Sequence, residues 1–297
     1  MKQQKIQKLL LIAILFNLIL TGIKLFFGYV GHAQSLVSDG YNSFIDLIMS
    51  LMVLFMLKIA TKQPDENHPY GHQKFEGVAY FSLGMIFLFT SGVILFQLIK
   101  NYWLYTHGNL YLTTPSNIAL WVSLIALVIK FGLALFYHYL YKKTDHPTLK
   151  AESKNHKIDM ISTSLAVLGI FLSKQGYIIF DYIAAALIAL LILKLAISTI
   201  VEAVTYLVDQ SPTQEVVDNI YSYIDNLNGV LHVDELKIRQ HVTQLYVDVE
   251  IAVNKELSLQ SAHEIAETVH KNIEKKFPKV IHCMVHVNPF EKNERKI

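Results

Sequence analysis

Two pairs of polar side chains with a four-residue spacing stand inside long apolar stretches of the chain. Asn42 and Asp46 lie in one stretch, and Asn155 and Asp159 begin another. Residues i and i+4 share a helix face, so each pair can direct an amide oxygen and a carboxylate toward one point. A carboxylate at membrane depth is costly without a partner, and four converging oxygens favour a divalent cation. For the two asparagines, hydrogen bonding between helices is the alternative.

The elements that position these pairs are predicted to be membrane-spanning helices. The 297 residues are 53% hydrophobic and 17% charged, with a mean hydropathy of +0.35, whereas a soluble chain has about 25% charged residues. A spanning helix needs about 20 apolar residues. Runs near this length occur at 9–30, 36–60, 77–100, 115–141, 156–173 and 178–207.

Basic residues beside these runs predict the orientation in the membrane, because Lys and Arg concentrate on the cytoplasmic side. They cluster before the first run and around the second and fourth connections, as Lys2, Lys5, Lys8, Lys58, Lys62, Lys74, Lys142, Lys143, Lys150, Lys154 and Lys157. Both termini are therefore expected in the cytoplasm, with the spans in the cell membrane. The single cysteine, Cys283, excludes an intrachain disulfide and fits a reducing compartment.

The composition changes after Asp209, where long apolar runs stop. We predict a membrane domain over 1–208 and a cytoplasmic domain over 209–297. In the second domain the patterns predict helices at 213–227 and 259–277, the latter capped by Ser258, and strands at 235–239, 244–253 and 280–287. The predicted fold class is a multi-pass membrane protein with six transmembrane helices and a small cytoplasmic α+β domain. Because such a small domain buries little core, a homodimer is expected.

Several classes of function are excluded by what the sequence lacks. It has no nucleophile-and-base arrangement, Gly-rich phosphate loop or H-E-x-x-H pattern, so an enzyme is not expected. A formal charge of +2 gives no basic surface for nucleic acid. A membrane-anchored metal sensor remains as an alternative, but carboxylates at membrane depth favour a transporter.

Three motifs include the polar pairs and the loop between them. Residues 38–46 read SDGYNSFID, residues 65–76 read DENHPYGHQKFE, and residues 155–159 read NHKID. With these motifs, nearly the whole chain resembles the cation diffusion facilitators, six-span exporters of divalent transition metals. The resemblance implies a transport site built from the two pairs, alternating access, a homodimer and exchange of metal for protons.

The resemblance also implies sites outside the spans. Asp65, His68 and His72 match a second metal site in the loop, for which a hydrogen-bonded turn is the alternative. Lys74 and Asp209 match an ion pair between the two domains, for which a solvated lysine is the alternative. Metal ligands of the cytoplasmic domain match His232, Asp248, His263 and His286. Asn288 replaces a frequent aspartate there, which favours a single regulatory ion.

The predicted metal follows from the asparagines, because zinc-type members place His or Asp at the first position of each pair. Two amide oxygens and two carboxylates form a hard site that suits Mn(II) or Fe(II). The sequence around Asn42 resembles the manganese-exporting branch, although Asn155 departs from the aspartate usual there. Mn(II) is the predicted substrate. Zn(II), Fe(II) and Co(II) are the alternatives, with His156 as a softer ligand one turn from Asp159.

Other polar residues in the apolar runs have two possible roles each. Asp39 is either an accessory ligand near the same helix face as Asn42 and Asp46 or a cap of the second helix. Lys24, Lys130 and Lys194 either snorkel toward a membrane face or pair within the bundle. Since asparagine does not titrate, proton exchange is expected to run through Asp46 and Asp159.

Overall fold

The computed structural model describes residues 3–60, 65–69, 71–72, 74–109, 111–144, 147–241 and 244–290. The helices are α1 (Gln3–Val30), α2 (Gln34–Ala60), α3 (Lys74–Thr106), α4 (Asn117–Thr144), α5 (Pro147–Lys174), α6 (Ile179–Leu207), α7 (Gln214–Asp225) and α8 (Leu259–Lys276). The strands are β1 (His232–His241), β2 (Gln244–Val253) and β3 (Val280–Pro289). The chain forms two compact units, one of Met1–Leu57 with Ser82–Ile200 and one of Lys58–Phe81 with Val201–Ile297.

The long helices carry apolar side chains on the outside and polar ones inside, the reverse of a soluble protein. Phe89 and Val128 are 74% and 70% exposed, whereas Ser91 and Ser123 are completely buried. Within the described residues, three stretches are long and apolar enough to cross a membrane, namely Gly77–Thr106, Asn117–Leu140 and Ile179–Leu207. Such a surface is suited to lipid rather than water.

Helices α1 and α2 approach each other closely at two glycines. A Cβ atom on Gly28 would lie 2.9 Å from the backbone nitrogen of Val37, and one on Gly40 would lie 2.7 Å from the Leu25 side chain. Small residues permit such backbone contact between membrane helices. The close approach brings the polar side chains of α1 and α2 within reach of each other.

The first turn of α2 is capped from another helix. Asp181 of α6 accepts hydrogen bonds from the backbone N–H of Gln34 at 2.7 Å and of Ser35 at 3.1 Å, and it also binds the Ser35 hydroxyl. A carboxylate there satisfies helix amides that lack an intrahelical acceptor. The capping role suggested for Asp39 is therefore wrong, because Asp39 lies within α2 and Asp181 provides the cap.

The C-terminal unit is an α+β fold with the predicted order of elements. Its three-stranded sheet has the order β1-β2-β3, with β1 and β2 antiparallel and β2 and β3 parallel. Ile224 of α7 and Ile273 of α8 join the core with Val247 of β2. The predicted cap of α8 is confirmed, since the Ser258 hydroxyl accepts from the Ser261 N–H at 3.1 Å.

Cys283 lies in β3 and should be almost inert in the folded protein. Its side chain is 1% exposed, and burial raises the pKa of its thiol to about 12. Since the thiolate is the reactive form and an ordinary thiol has a pKa of about 8.5, we expect iodoacetamide at pH 8 to label the native protein at least ~100-fold more slowly than the denatured protein. Mass spectrometry measures the labelling.

A matched control for this experiment moves the thiol to the neighbouring exposed position. The double variant Cys283→Ser/Met284→Cys carries its cysteine where Met284 is 57% exposed, and it should react at the rate of an ordinary thiol. Equal labelling rates for the native wild type and this variant would contradict the burial of Cys283.

Candidate metal-transport site

Three of the four residues in the predicted polar pairs meet between α2 and α5. The amide nitrogen Nδ2 of Asn42 lies 3.4 Å from Oδ1 of Asp159, and the Asp46 carboxyl is in hydrogen-bonding contact with Asp159. The two carboxyls are 5% and 3% exposed. Asn155 lies in α5, but it is not among the residues whose side chains the structure describes. Two buried carboxyls and one amide group thus lie together between the two helices.

Lys130 of α4 also belongs to this site, which the sequence did not indicate. Its side chain is completely buried, and its ammonium makes an ion pair with Oδ2 of Asp159. The ammonium also lies 3.4 Å from Oδ1 of Asn17 on α1. Of the two roles predicted for Lys130, pairing within the bundle is the one observed. The Asp159 carboxylate is thereby shared between an amide and an ammonium.

A second buried ion pair joins α1 to α2 through Lys24 and Asp39. Their side chains are 0% and 1% exposed, and the ammonium lies 2.7 Å from Oδ2 of Asp39. The same ammonium donates to the hydroxyls of Ser43 at 3.0 Å and Thr163 at 3.2 Å. Ser162 donates to Oδ1 of Asp39 at 2.5 Å. Both carboxylate oxygens of Asp39 are therefore engaged.

His156 lies beside the site without contacting its carboxylate closely. Its ring is buried and stacks on Tyr137, with ring centroids 5.1 Å apart. Its Nδ1 atom is 3.8 Å from Oδ2 of Asp159, which is longer than a hydrogen bond. The ring is therefore a neighbour of the Asp159 carboxylate rather than its hydrogen-bond partner in this structure.

Two family models match the chain over almost its whole length. The cation efflux transmembrane domain matches residues 10–208, and the cytoplasmic domain of cation efflux proteins matches residues 212–290. The chain belongs to the cation efflux family. This confirms the resemblance to cation diffusion facilitators and the predicted fold class, a multi-pass helical membrane protein with a small cytoplasmic α+β domain. Proteins of this family transport metal ions and are not enzymes.

Three relatives of this cation efflux protein align along most of its length. Manganese efflux system protein MneP of Bacillus subtilis is 30% identical over 97% of this chain and 98% of its own length. Manganese efflux system protein MneS of the same organism is 28% identical over 95% of this chain and 94% of its own length. Metal tolerance protein 2 of Oryza sativa subsp. japonica is 29% identical over 93% of this chain and 76% of its own length.

The loop of the cation efflux protein brings Asp65, His68 and His72 together. One ligand atom of each lies within 4.8 Å of the others, and the described residues contain no other such cluster of three or more. Oδ1 of Asp65 accepts from the backbone N–H of His68 at 2.8 Å, which lowers the pKa of Asp65. Nε2 of His72 lies 3.3 Å from Oδ2 of Asp65. The loop is therefore a hydrogen-bonded turn, and its side chains also form a group of atoms that could bind a metal ion.

Lys74 and Asp209 form an ion pair, whereas the predicted role of this pair as a link between the two domains stays a prediction. The ammonium lies 3.2 Å from Oδ1 of Asp209, and both residues belong to the second compact unit. Asp209 follows the end of α6 with a φ of +57°, a left-handed conformation that Asp tolerates better than most residues. Because the side chains are 54% and 39% exposed, the pair should contribute only about 0–1 kcal/mol.

The four residues predicted as cytoplasmic ligands do not cluster within the described part of one protomer. Asp248 of β2 stands opposite Lys237 of β1, and His286 of β3 stands opposite Glu250 of β2. His232 lies in β1 and His263 in α8, both exposed. Since the predicted site spans two protomers, it stays a prediction.

Asn288, which stands where aspartate is frequent, already bridges two acidic residues. Its Nδ2 donates to Asp234 at 3.0 Å and to Glu250 at 3.3 Å. The amide thus supplies hydrogen-bond donors between carboxylates that would otherwise repel each other.

Proposed function

We propose that this cation efflux protein exports Mn(II) from the cytoplasm by alternating access, through a site of Asn42, Asp46, Asn155 and Asp159. The observation that carries the proposal is the convergence of the buried carboxyls of Asp46 and Asp159 with the half-buried amide of Asn42 in the first unit. Hard oxygen donors suit Mn(II) better than softer metals.

The names of two relatives support the choice of metal. MneP and MneS are both described as manganese efflux proteins, and they align with this chain over 97% and 95% of its length. We infer further that residues 1–208 form the membrane domain, that residues 209–297 pair in a homodimer, and that both termini face the cytoplasm. The lysines of the cytoplasmic connections support this orientation.

Protons are the proposed counter-ion. Asp46 and Asp159 are the titratable members of the proposed ligand set, and their carboxyls are close enough to share a proton. A divalent ion bound by both carboxylates replaces such a proton, because the two cations need the same oxygens. Export of the metal is then coupled to movement of protons in the opposite direction.

Flux into proteoliposomes tests the proposed substrate and site together. Vesicles containing the full-length protein and a pH-sensitive dye are supplied separately with Mn(II), Fe(II), Zn(II) and Co(II). We expect Mn(II) to move fastest with a coupled change in internal pH, and Asp46→Asn to lower the flux to that of protein-free vesicles, because the variant loses a buried charged ligand. Asp218→Asn, which changes an exposed carboxylate of α7, is the matched control and should transport normally.

A second candidate, export of Zn(II), Co(II) or Fe(II), is favoured by the position of His156 beside Asp159. An imidazole ligand shifts the preference toward Zn(II). Faster flux of Zn(II) than of Mn(II), lost on replacement of His156 by Ala, would establish this candidate. Absence of flux for all four metals would contradict transport and restore the alternative of a metal sensor.

A further inference from the structure

Lys130 places its amino group inside the proposed metal site. Its ammonium is completely buried and contacts the same carboxylate, Asp159, that is proposed to bind the metal. A buried ammonium requires a charged or strongly polar partner, since its desolvation is expensive. Asp159 therefore has one cation bound in the structure already, attached to the chain through α4.

The ammonium and a divalent metal ion are not expected to hold Asp159 together. They bring three positive charges to a site with two carboxylates, Asp46 and Asp159, and repulsion between close cations is strong where water is excluded. A protonated ammonium also has no lone pair with which to bind a metal. Binding of the metal thus requires the ammonium to leave the carboxylate.

Asn17 of α1 provides a second acceptor for the displaced ammonium. Its Oδ1 atom lies 3.4 Å from Nζ of Lys130. This acceptor belongs to α1, whereas Asp159 belongs to α5. A lysine side chain has four rotatable bonds, so a shift from Asp159 toward Asn17 requires no movement of the backbone.

We propose that Lys130 is a tethered counter-cation that occupies Asp159 when the site is empty and is displaced when the metal binds. This inference rests on the proposed transport site. The ammonium compensates the carboxylates of the empty site, and it lowers the affinity for metal by the free energy of breaking its ion pair. It is a positioning residue that sets the affinity and helps to release the metal.

The ion pair of Lys24 shows what distinguishes Lys130. The Lys24 ammonium is held by Asp39, Ser43 and Thr163, none of which belongs to the four proposed transport ligands. Its pairing does not compete with metal bound at Asp159. The charge of Lys130, in contrast, is placed directly on a proposed ligand.

Calorimetric titration of the purified full-length protein in detergent with Mn(II) tests the inference. We expect Lys130→Met to bind Mn(II) at least about tenfold more tightly than the wild type, because the metal no longer displaces a cation. Lys130→Arg should retain weak binding. Flux at saturating Mn(II) should be slower in Lys130→Met, because release from the tighter site limits turnover. Lys194→Met, which removes an exposed lysine from α6, is the matched control and should bind like the wild type.

If Lys130→Met elutes like the wild type in size exclusion but binds Mn(II) with unchanged or lower affinity, the inference is overturned. Lys130 would then have only a structural role. If this variant does not fold, Lys130→Gln is measured in the same way, because its neutral amide can still donate to Asn17 and Asp159. Asp46→Asn separates the two proposals. Wild-type affinity in that variant would overturn the proposed transport site, and the inference with it, whereas loss of binding there leaves the Lys130 result decisive.

Discussion

Replacing Asp159 by Asn should both abolish metal transport and destabilise the protein, whereas the double variant Asp159→Asn/Lys130→Met should recover stability without recovering transport. The single change removes a proposed ligand and leaves the buried ammonium of Lys130 without its carboxylate. Removing one partner of a buried ion pair costs about 3–5 kcal/mol, whereas replacing both partners by neutral groups of similar size is often tolerated.

The two effects are measured on the same preparations. Titration with SDS gives the free energy of unfolding, and flux into proteoliposomes gives transport of Mn(II). Lys130→Met alone completes the double-mutant cycle, which isolates the interaction between the two residues. Recovery of transport in the double variant would show that Asp159 serves only to hold Lys130, and it would contradict the assignment of Asp159 as a ligand.

The approach of the two polar pairs was predictable because it depends on local geometry. Apolar runs of this length adopt helices in a membrane, and four-residue spacing then fixes which side chains share a face. The structure brings Asn42 of α2 within 3.4 Å of Asp159 of α5. The role of these residues as metal ligands remains a prediction, because it depends on an ion that the sequence does not specify.

The partners of the lysines were not predictable from the sequence. Lys130 and Lys194 both interrupt apolar runs, yet Lys130 is completely buried against Asp159 and Lys194 is exposed. The difference arises from the rotation of each helix about its axis, and packing with neighbouring helices determines that rotation. A lone lysine in a span therefore predicts only that its charge has a partner or reaches a polar surface.

Helix caps show the same division between local and distant determinants. Ser258 caps α8 from the preceding residue, and its pattern was readable in the sequence. The cap of α2 is Asp181, which is 146 residues from Ser35 in the chain, so no local rule identifies it. The strand predicted at 235–239 was too short at both ends. The observed strand β1 extends from His232 to His241, and its pairing with β2 continues across an irregularity between Val233 and Glu235.

Breaking the Lys24–Asp39 ion pair from either side should destabilise the protein by about 3–5 kcal/mol, since both groups are buried and each variant leaves one charge unpaired. We expect Asp39→Asn and Lys24→Met to show this loss in SDS titration. The double variant should be much closer to the wild type than the sum of the two changes. In it, the amide oxygen of the new Asn still accepts from Ser162.

Transport by this double variant decides whether Asp39 is an accessory ligand. Both oxygens of Asp39 are engaged by Lys24, Ser162 and Thr163, so we expect Mn(II) flux in the double variant to stay within about twofold of the wild type. Asp159→Asn/Lys130→Met is the matched comparison, since it neutralises the other buried Lys–Asp pair. Loss of flux in both double variants at recovered stability would make Asp39 part of the metal pathway. Loss of flux only in Asp159→Asn/Lys130→Met would exclude Asp39 from the proposed metal ligands.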